Sequence, residues 1–167
     1  MKATLIVEGK EFPIEINDPE LQKLIAPPKK TGYERTAHNA YYYFDGGNGT
    51  VHNTEPGFNP AEDVLYNVAN YYSDKTVAEN NVRADKLMRQ LRRFAVEHRA
   101  SNIEWGVSYN KYFIYYNHAL GELQVGSASQ HQYYNAIYFD SEFYAKAAIK
   151  QFYDKLVWYF TEYKNSL

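Results

Sequence analysis

Residues 73–99 read SDKTVAENNVRADKLMRQLRRFAVEHR, the longest stretch of the chain that predicts a single element. Ser73 is a residue type that caps helices, and Asp74 falls in the first turn, where a carboxylate favours the positive helix end. Apolar residues then recur at three- and four-residue steps, which predicts one buried stripe. The stripe consists of Val77, Ala84, Leu87, Met88, Leu91 and Ala95. We therefore expect an amphipathic helix here.

The composition narrows the class of protein. A chain of 167 residues forms one domain or two small lobes that share a core. It has no cysteine, which excludes disulfides, thiolate zinc sites and a cysteine nucleophile. No apolar run approaches the ~20 residues of a membrane span, and the opening MKATLIVEGKEF turns polar too early for a secretory signal. We expect a soluble, cytoplasmic protein without membrane contact.

The N-terminal segment predicts a β-hairpin and a short helix. Residues 3–16 alternate in hydropathy on both sides of Glu8-Gly9-Lys10, and Pro13 places the return strand at an edge or a bulge. Asp18 and Pro19 then open a helix with Leu21, Leu24 and Ile25 on its buried side. The proline pair at 27–28 ends it, so we place a boundary near residue 30.

The rest of the chain predicts two copies of a strand-strand-strand-helix unit, over 31–105 and 106–167. The first has strands at 40–44, 50–52 and 65–72, with a polar loop over 52–60; the second has them at 112–116, 122–125 and 133–139, with a polar loop over 126–130. Gly49 matches Gly121 at an offset of 72, as Tyr43 matches Tyr115 and Val51 matches Leu123, whereas Tyr71-Tyr72-Ser73 matches Tyr138-Phe139-Asp140 at an offset of 67. The drop predicts a shorter loop in the second copy. The fold class is α+β.

The last helix is predicted to begin after Asp140 or Ser141 and to run to about Tyr163. Its end is apolar on most faces, at residues 156–160. Such a helix is either sandwiched within the chain or paired with a partner, as in a homodimer.

The sequence shows no persuasive motif of a catalytic, phosphate-binding or metal site. The glycines of Asp45-Gly46-Gly47-Asn48-Gly49 precede a β-type segment, so they indicate a turn and not a phosphate-binding loop. The five histidines lack the spacing of a zinc site, and Ser73 lacks the flanking glycines of a nucleophile elbow. Glu62-Asp63 and Asp140-Glu142 are typical of solvated or capping carboxylates, and His98 suits the negative end of a helix. We expect no enzyme, no cofactor and no metal.

The long helix carries a group of basic side chains that predicts contact with an anionic partner. The net charge is −2, yet residues 83–99 hold six lysines and arginines against two acids. Arg83, Lys86, Arg89 and Arg93 lie on one helical face, suited to phosphates or to an acidic protein surface, although a solvated face explains them equally. Among the abundant tyrosines we select Tyr42, Tyr43 and Tyr116 as anchors, against the alternative of a covered sheet.

The order of several segments resembles small accessory proteins of phages and prophages of Gram-positive bacteria, best over residues 3–99. The segments are IVEGKEFPIEI, LQKLIAPPKKTGYER, YYYFD with GTV, NYYSDKTVAENN and ADKLMRQLRRFAVEHR. The resemblance includes no catalytic motif. It implies a protein that blocks a host factor by direct binding, as anti-CRISPR and other anti-defence inhibitors do.

We therefore expect a non-enzymatic phage protein that binds and blocks a host protein or ribonucleoprotein, such as a CRISPR nuclease. One alternative is a sponge that sequesters a nucleotide immune signal between tyrosines and arginines. Another is a nucleic-acid-binding accessory protein.

Overall fold

The computed structural model describes residues 2–25, 30–38, 40–98, 105 and 109–163. They form a mixed α+β protein that begins with a β-hairpin and a short helix, as predicted. The strands of the hairpin are β1 (Lys2–Val7) and β2 (Lys10–Glu15), and the helix is α1 (Pro19–Ile25). The predicted boundary near residue 30 adjoins residues 26–29, which lie outside the described residues.

Local signals explain the N-terminal segment. Glu8 and Gly9 have positive φ angles of 51° and 77°, the conformation of a tight hairpin turn. Asp18 Oδ1 accepts the N–H groups of Glu20 and Leu21, at 2.8 and 3.1 Å, and so caps α1. Leu21 was predicted to be buried, but it is 51% exposed. The side chains of Leu24 and Ile25 lie outside the described residues.

The first repeated unit contains a helix where a strand was predicted. Strands β3 (Tyr42–Asp45) and β4 (Val51–Thr54) form the expected hairpin, and β4 continues into the predicted loop. Residues 65–72 do not form a strand, because α2 (Pro60–Asn67) contains the first three of them and a turn follows it. Asn59 caps this helix by accepting the N–H groups of Ala61 and Glu62, and Pro60 suits the first turn. What remains of the third strand is one bridge between Tyr43 and Tyr72.

The long helix is α3 (Lys75–Glu97), slightly shorter than predicted. Its N-cap is Asp74 and not Ser73, since Asp74 Oδ1 accepts the N–H of Val77 at 3.0 Å. Ser73 instead donates its hydroxyl to Glu34 Oε2 at 3.0 Å. The predicted apolar stripe is confirmed at Ala84, Leu87 and Leu91, which are buried, and it also includes Ala78, Val82 and Phe94.

The second unit has all three of its predicted strands. They are β5 (Lys111–Asn117), β6 (Glu122–Ala128) and β7 (Tyr138–Phe139), arranged in the order β6-β5-β7. Strand β6 extends into the loop predicted at 126–130, and residues 133–137 were predicted as strand but lie outside it. Helix α4 (Glu142–Trp158) is capped by Ser141 and kinked at Phe152, and a π-helical turn (Tyr159–Tyr163) completes it.

The two units correspond at Gly49 with Gly121 and at Tyr72 with Phe139, but not at the predicted match of Tyr43 with Tyr115, because Phe139 pairs with Tyr112. Tyr72 bridges to Tyr43 just before the cap of α3, and Phe139 pairs with Tyr112 just before the cap of α4. Gly49 and Gly121 close the two hairpin turns with φ angles of 82° and 70°. The connection between the second and third strands is shorter in the second unit, as predicted, because it has no counterpart of α2.

The core lies where α3, α4 and the three-stranded sheet meet. Helix α3 contacts the β3-β4 hairpin and α4, and α4 contacts the sheet. The buried residues that pack together there are Leu87, Leu91, Phe94, Phe139, Ala145, Ala148, Phe152 and Leu156. The apolar end of α4 is covered within the chain, since Leu156 is 1% and Trp158 is 6% exposed. This favours the sandwiched alternative for α4, and the homodimer stays a prediction.

Candidate anion-binding face

Three of the four predicted basic residues converge on the glycine-rich turn of the first hairpin. Lys86, Arg89 and Arg93 follow one another along α3, and with Gln90 they border an open depression of about 270 Å³. Residues 47–49 of the turn form its other side. We call Lys86, Arg89 and Arg93 the basic row. The depression presents three cations beside a turn that has no side chain at Gly47 or Gly49.

The packing of the hairpin on α3 creates this arrangement. A Cβ at Gly49 would lie 3.4 Å from Lys86 Cδ, so the glycine allows the lysine stem to lie against the turn. Asp45 Oδ1 accepts the N–H of Gly47 at 2.8 Å and holds the turn in place. The turn leads into β4 and not into a helix, which confirms the turn interpretation of the glycines.

The ion pairs of the basic row are long and partly exposed. Arg89 Nη2 lies 3.8 Å from Asp45 Oδ2, and Arg93 Nε lies 3.7 Å from Glu97 Oε1, with the Arg93 side chain 74% exposed. Exposed pairs of this kind contribute about 0–1 kcal/mol, so a bound anion competes with them readily. Lys155 Nζ adds a fourth cation from α4 by donating to Gln90 Oε1 at 2.9 Å.

Arg83, the fourth predicted residue, does not line the depression. Its guanidinium carbon lies 3.7 Å from the centroid of the Trp158 ring, in a cation–π contact with α4. Trp158 is only 6% exposed, so this contact is part of the packing between α3 and α4. The placement assigns Arg83 to helix–helix packing, a role that spacing along α3 does not distinguish from binding.

The three predicted tyrosine anchors are not brought together. Tyr42 is 4% exposed and stacks on Tyr71, with the ring centroids 4.2 Å apart, and burial raises the pKa of its phenol. Tyr43 is half-buried and bridges to Tyr72 through its backbone. Tyr116 is half-buried and stacks on Phe160 at the end of α4. Tyr42 is therefore buried, whereas the selection of Tyr43 and Tyr116 as anchors stays a prediction.

A larger depression, about 1040 Å³, lies between residues 30–37 and 40–41 on one side and the start of α3 on the other. Sequence patterns gave no sign of it, because its walls come from a segment without regular structure. Glu34 in its wall accepts the N–H groups of Thr31 and Gly32 and the hydroxyl of Ser73. Hydrogen bonds from the N–H of Thr31 foremost, and also from the hydroxyls of Thr31 and Ser73, lower the pKa of Glu34 to about 2. The Glu34 carboxylate thus stabilises the wall of this depression through its hydrogen bonds.

The remaining candidates from the sequence have structural roles. His98 caps the C-terminus of α3 and bonds through Nδ1 to the carbonyl oxygen of Phe94 at 2.8 Å.

Within the described residues no group of three or more His, Asp or Glu side chains is placed to hold a metal ion. In the same part of the chain no helix is both long and apolar enough to cross a membrane.

Comparisons of the chain with protein-family models, with curated proteins and with solved structures find no match. What the basic row binds is therefore inferred from its own residues.

Proposed function

We propose that the protein is a non-enzymatic binding protein that engages an anionic macromolecule through the basic row of α3. The observation that supports this is the convergence of Lys86, Arg89 and Arg93 on one depression beside a glycine turn. Long, partly exposed ion pairs leave Arg89 and Arg93 available to phosphate or carboxylate groups. The open shape of the site suits a surface partner better than an enclosed small molecule.

The proposed partner is a host macromolecule in the host cytoplasm, as the resemblance to phage accessory proteins suggests. Under this proposal the protein blocks its target by occupying an anionic surface, as an anti-CRISPR or other anti-defence inhibitor does. Occlusion needs no chemistry from the inhibitor, only a contact area and charges complementary to those of the target.

The electrostatic part of the proposal is tested with a polyanion. Fluorescent heparin is titrated with the protein, and binding is followed by anisotropy at two salt concentrations. Three charge contacts predict an affinity loss of about 40-fold between about 50 and about 200 mM salt. Lys86→Glu with Arg93→Glu should weaken binding at least about tenfold, because the two reversals change the sign of the row. Arg89 is left intact so that Asp45 keeps its neighbour.

The matched control is Lys75→Glu with Lys150→Glu, which changes the net charge equally at two exposed positions outside the row. It should retain the affinity of the parent within about threefold if local contacts and not total charge decide binding. Equal affinities for the parent and the row variant would refute the proposal. In cells that carry a CRISPR nuclease, the parent should raise the plating of a targeted phage and the row variant should not.

A further inference from the structure

A third depression, of about 850 Å³, has Arg92 and Val96 of α3 in its lining, next to the basic row, together with exposed aromatic side chains. Tyr134 is 94% exposed, Tyr133 is 57% exposed and Trp105 is 37% exposed. Arg92 and Val96 of α3 form its opposite wall. We call Trp105, Tyr133 and Tyr134 the aromatic platform. None of these three residues was selected as an anchor from the sequence.

The platform is built on rings that are themselves held in place. Tyr133 lies against Phe113 of β5, with ring centroids 5.0 Å apart, and its N–H donates to the hydroxyl of Tyr138 at 2.6 Å. Trp105 meets the ring of Tyr138 edge to face at 4.9 Å. Lys111, which is 3% exposed, places its Nζ 5.3 Å from the Trp105 ring centroid. A cation thus lies within the platform as well as beside it.

The basic depression and the aromatic depression are lined by neighbouring residues of α3. Arg92 lines the aromatic one, whereas its neighbours Arg89 and Arg93 line the basic one. Residues three or four apart on a helix have Cβ atoms about 5–6 Å from each other, so Arg89, Arg92 and Val96 form one connected surface. From Lys86 to Val96 this surface extends about 15 Å along the helix axis.

Cations that follow a backbone and aromatic rings that accept stacked bases are the features of proteins that bind single-stranded nucleic acid. A duplex keeps its bases stacked on one another, so it offers nothing to Tyr134 or Trp105. Exposed tyrosine also anchors protein interfaces, but a row of cations that runs beside exposed rings is the arrangement that alternating phosphates and bases require.

We infer that the anionic partner is a single strand of RNA or DNA, whose phosphates contact the basic row and Arg92 while its bases stack on the aromatic platform. This inference rests on the proposed function, because it assigns the ligand of the same face of α3. The 2′-hydroxyl decides between RNA and DNA, so both are included in the test.

The test measures the binding of fluorescent 20-nucleotide oligouridylate, oligothymidylate and a duplex of the same length. The parent should bind at least one single strand more tightly than the duplex. Tyr134→Ala should weaken single-strand binding by roughly 5- to 150-fold, the range measured for one stacked base. Heparin binding should stay unchanged, since heparin has no bases. Tyr134→Phe should restore binding because it keeps the ring.

The control variant is Tyr153→Ala, which removes a tyrosine that is 50% exposed on α4 and outside the platform. It should bind like the parent. Unchanged single-strand binding in Tyr134→Ala, or a duplex bound as tightly as the single strands, would overturn the inference and leave the proposed function standing. Failure of the parent to bind heparin or any oligonucleotide would overturn both.

Discussion

At the residue scale, hydrogen bonds to backbone N–H groups decide what the acidic side chains do. Glu34 accepts two such groups, and Ser73 donates to it just before the start of α3. The backbone N–H of Ser73 in turn donates to the carbonyl oxygen of Gly32 at 2.8 Å. The ionised Glu34 carboxylate thereby holds residues 31–34 against Ser73, just before the start of α3.

Neutralising Glu34 should lower stability in a way that depends on pH. Its pKa falls from 4.5 to about 2 on folding. A depressed pKa contributes stability that is complete above the unfolded value and is lost as the pH falls toward the folded value. Urea unfolding, followed by circular dichroism, should show the parent more stable than Glu34→Gln above about pH 5, with the difference shrinking between pH 4.5 and about 2.

The control for this series is Glu79→Gln, which neutralises an exposed carboxylate on α3 that faces Lys75 at 3.4 Å. It should change the free energy of unfolding at neutral pH by less than about 0.5 kcal/mol. A gap between the parent and Glu34→Gln that stays constant with pH would show that the Glu34 charge is not what fastens the segment.

At the scale of elements, α2 forms because hydrogen bonds at its start outweigh a side-chain pattern that favours a strand. Its sequence ends in aromatic and β-branched residues that favour a strand. The buried Glu62, however, accepts the N–H groups of Gly57 and Phe58, and Asn59 accepts two more at the helix start. The bonds of Asn59 satisfy groups that a first helical turn leaves without partners, and those of Glu62 fix the residues that lead into the helix, so both favour α2.

Replacing Glu62 by alanine should destabilise the protein by about 1–3 kcal/mol, since it leaves backbone donors at a buried position without acceptors. Asp63→Ala, one residue along, removes an exposed carboxylate that pairs with Arg35 at 2.6 Å. That change should cost about 0–1 kcal/mol. Chemical denaturation of both variants checks the order, and equal losses would contradict the structural role of Glu62.

At the scale of the whole molecule, stability is concentrated around the sheet of the second unit and the two long helices. Phe139 is 2% exposed and packs edge to face on Phe94 of α3, so β7 joins the sheet to the first unit. The N-terminal hairpin differs, since Ile6 and Phe12 are 66% and 47% exposed. The hairpin therefore adds little to the common core.

Phe139→Ala should cost about 3–5 kcal/mol, because it removes a large buried ring and leaves a cavity. Phe12→Ala makes the same chemical change at a half-exposed position and should cost less than about 1 kcal/mol. The two values come from urea midpoints and slopes measured on the full chain. A loss at Phe12 as large as that at Phe139 would place the hairpin in the core.

The sequence by itself determined the features that depend on neighbours along the chain. The hairpins, the bounds of α3 within two residues and the correspondence of Tyr72 with Phe139 all follow from turn residues, caps and hydrophobic periodicity. Such signals act over a few residues and need no knowledge of what packs opposite. Helix α2 is the exception, because its capping residues lie in a stretch that looks like a polar loop.

Only the tertiary structure decided which side chains share a surface. Arg83 and Lys86 are three residues apart on one helix, yet one covers Trp158 and the other borders the glycine turn. Tyr42 and Tyr134 are the same residue type in similar tyrosine-rich stretches, yet one is 4% and the other 94% exposed. The physical reason is that exposure and partners depend on the element packed opposite, and residues far away in the chain supply that element.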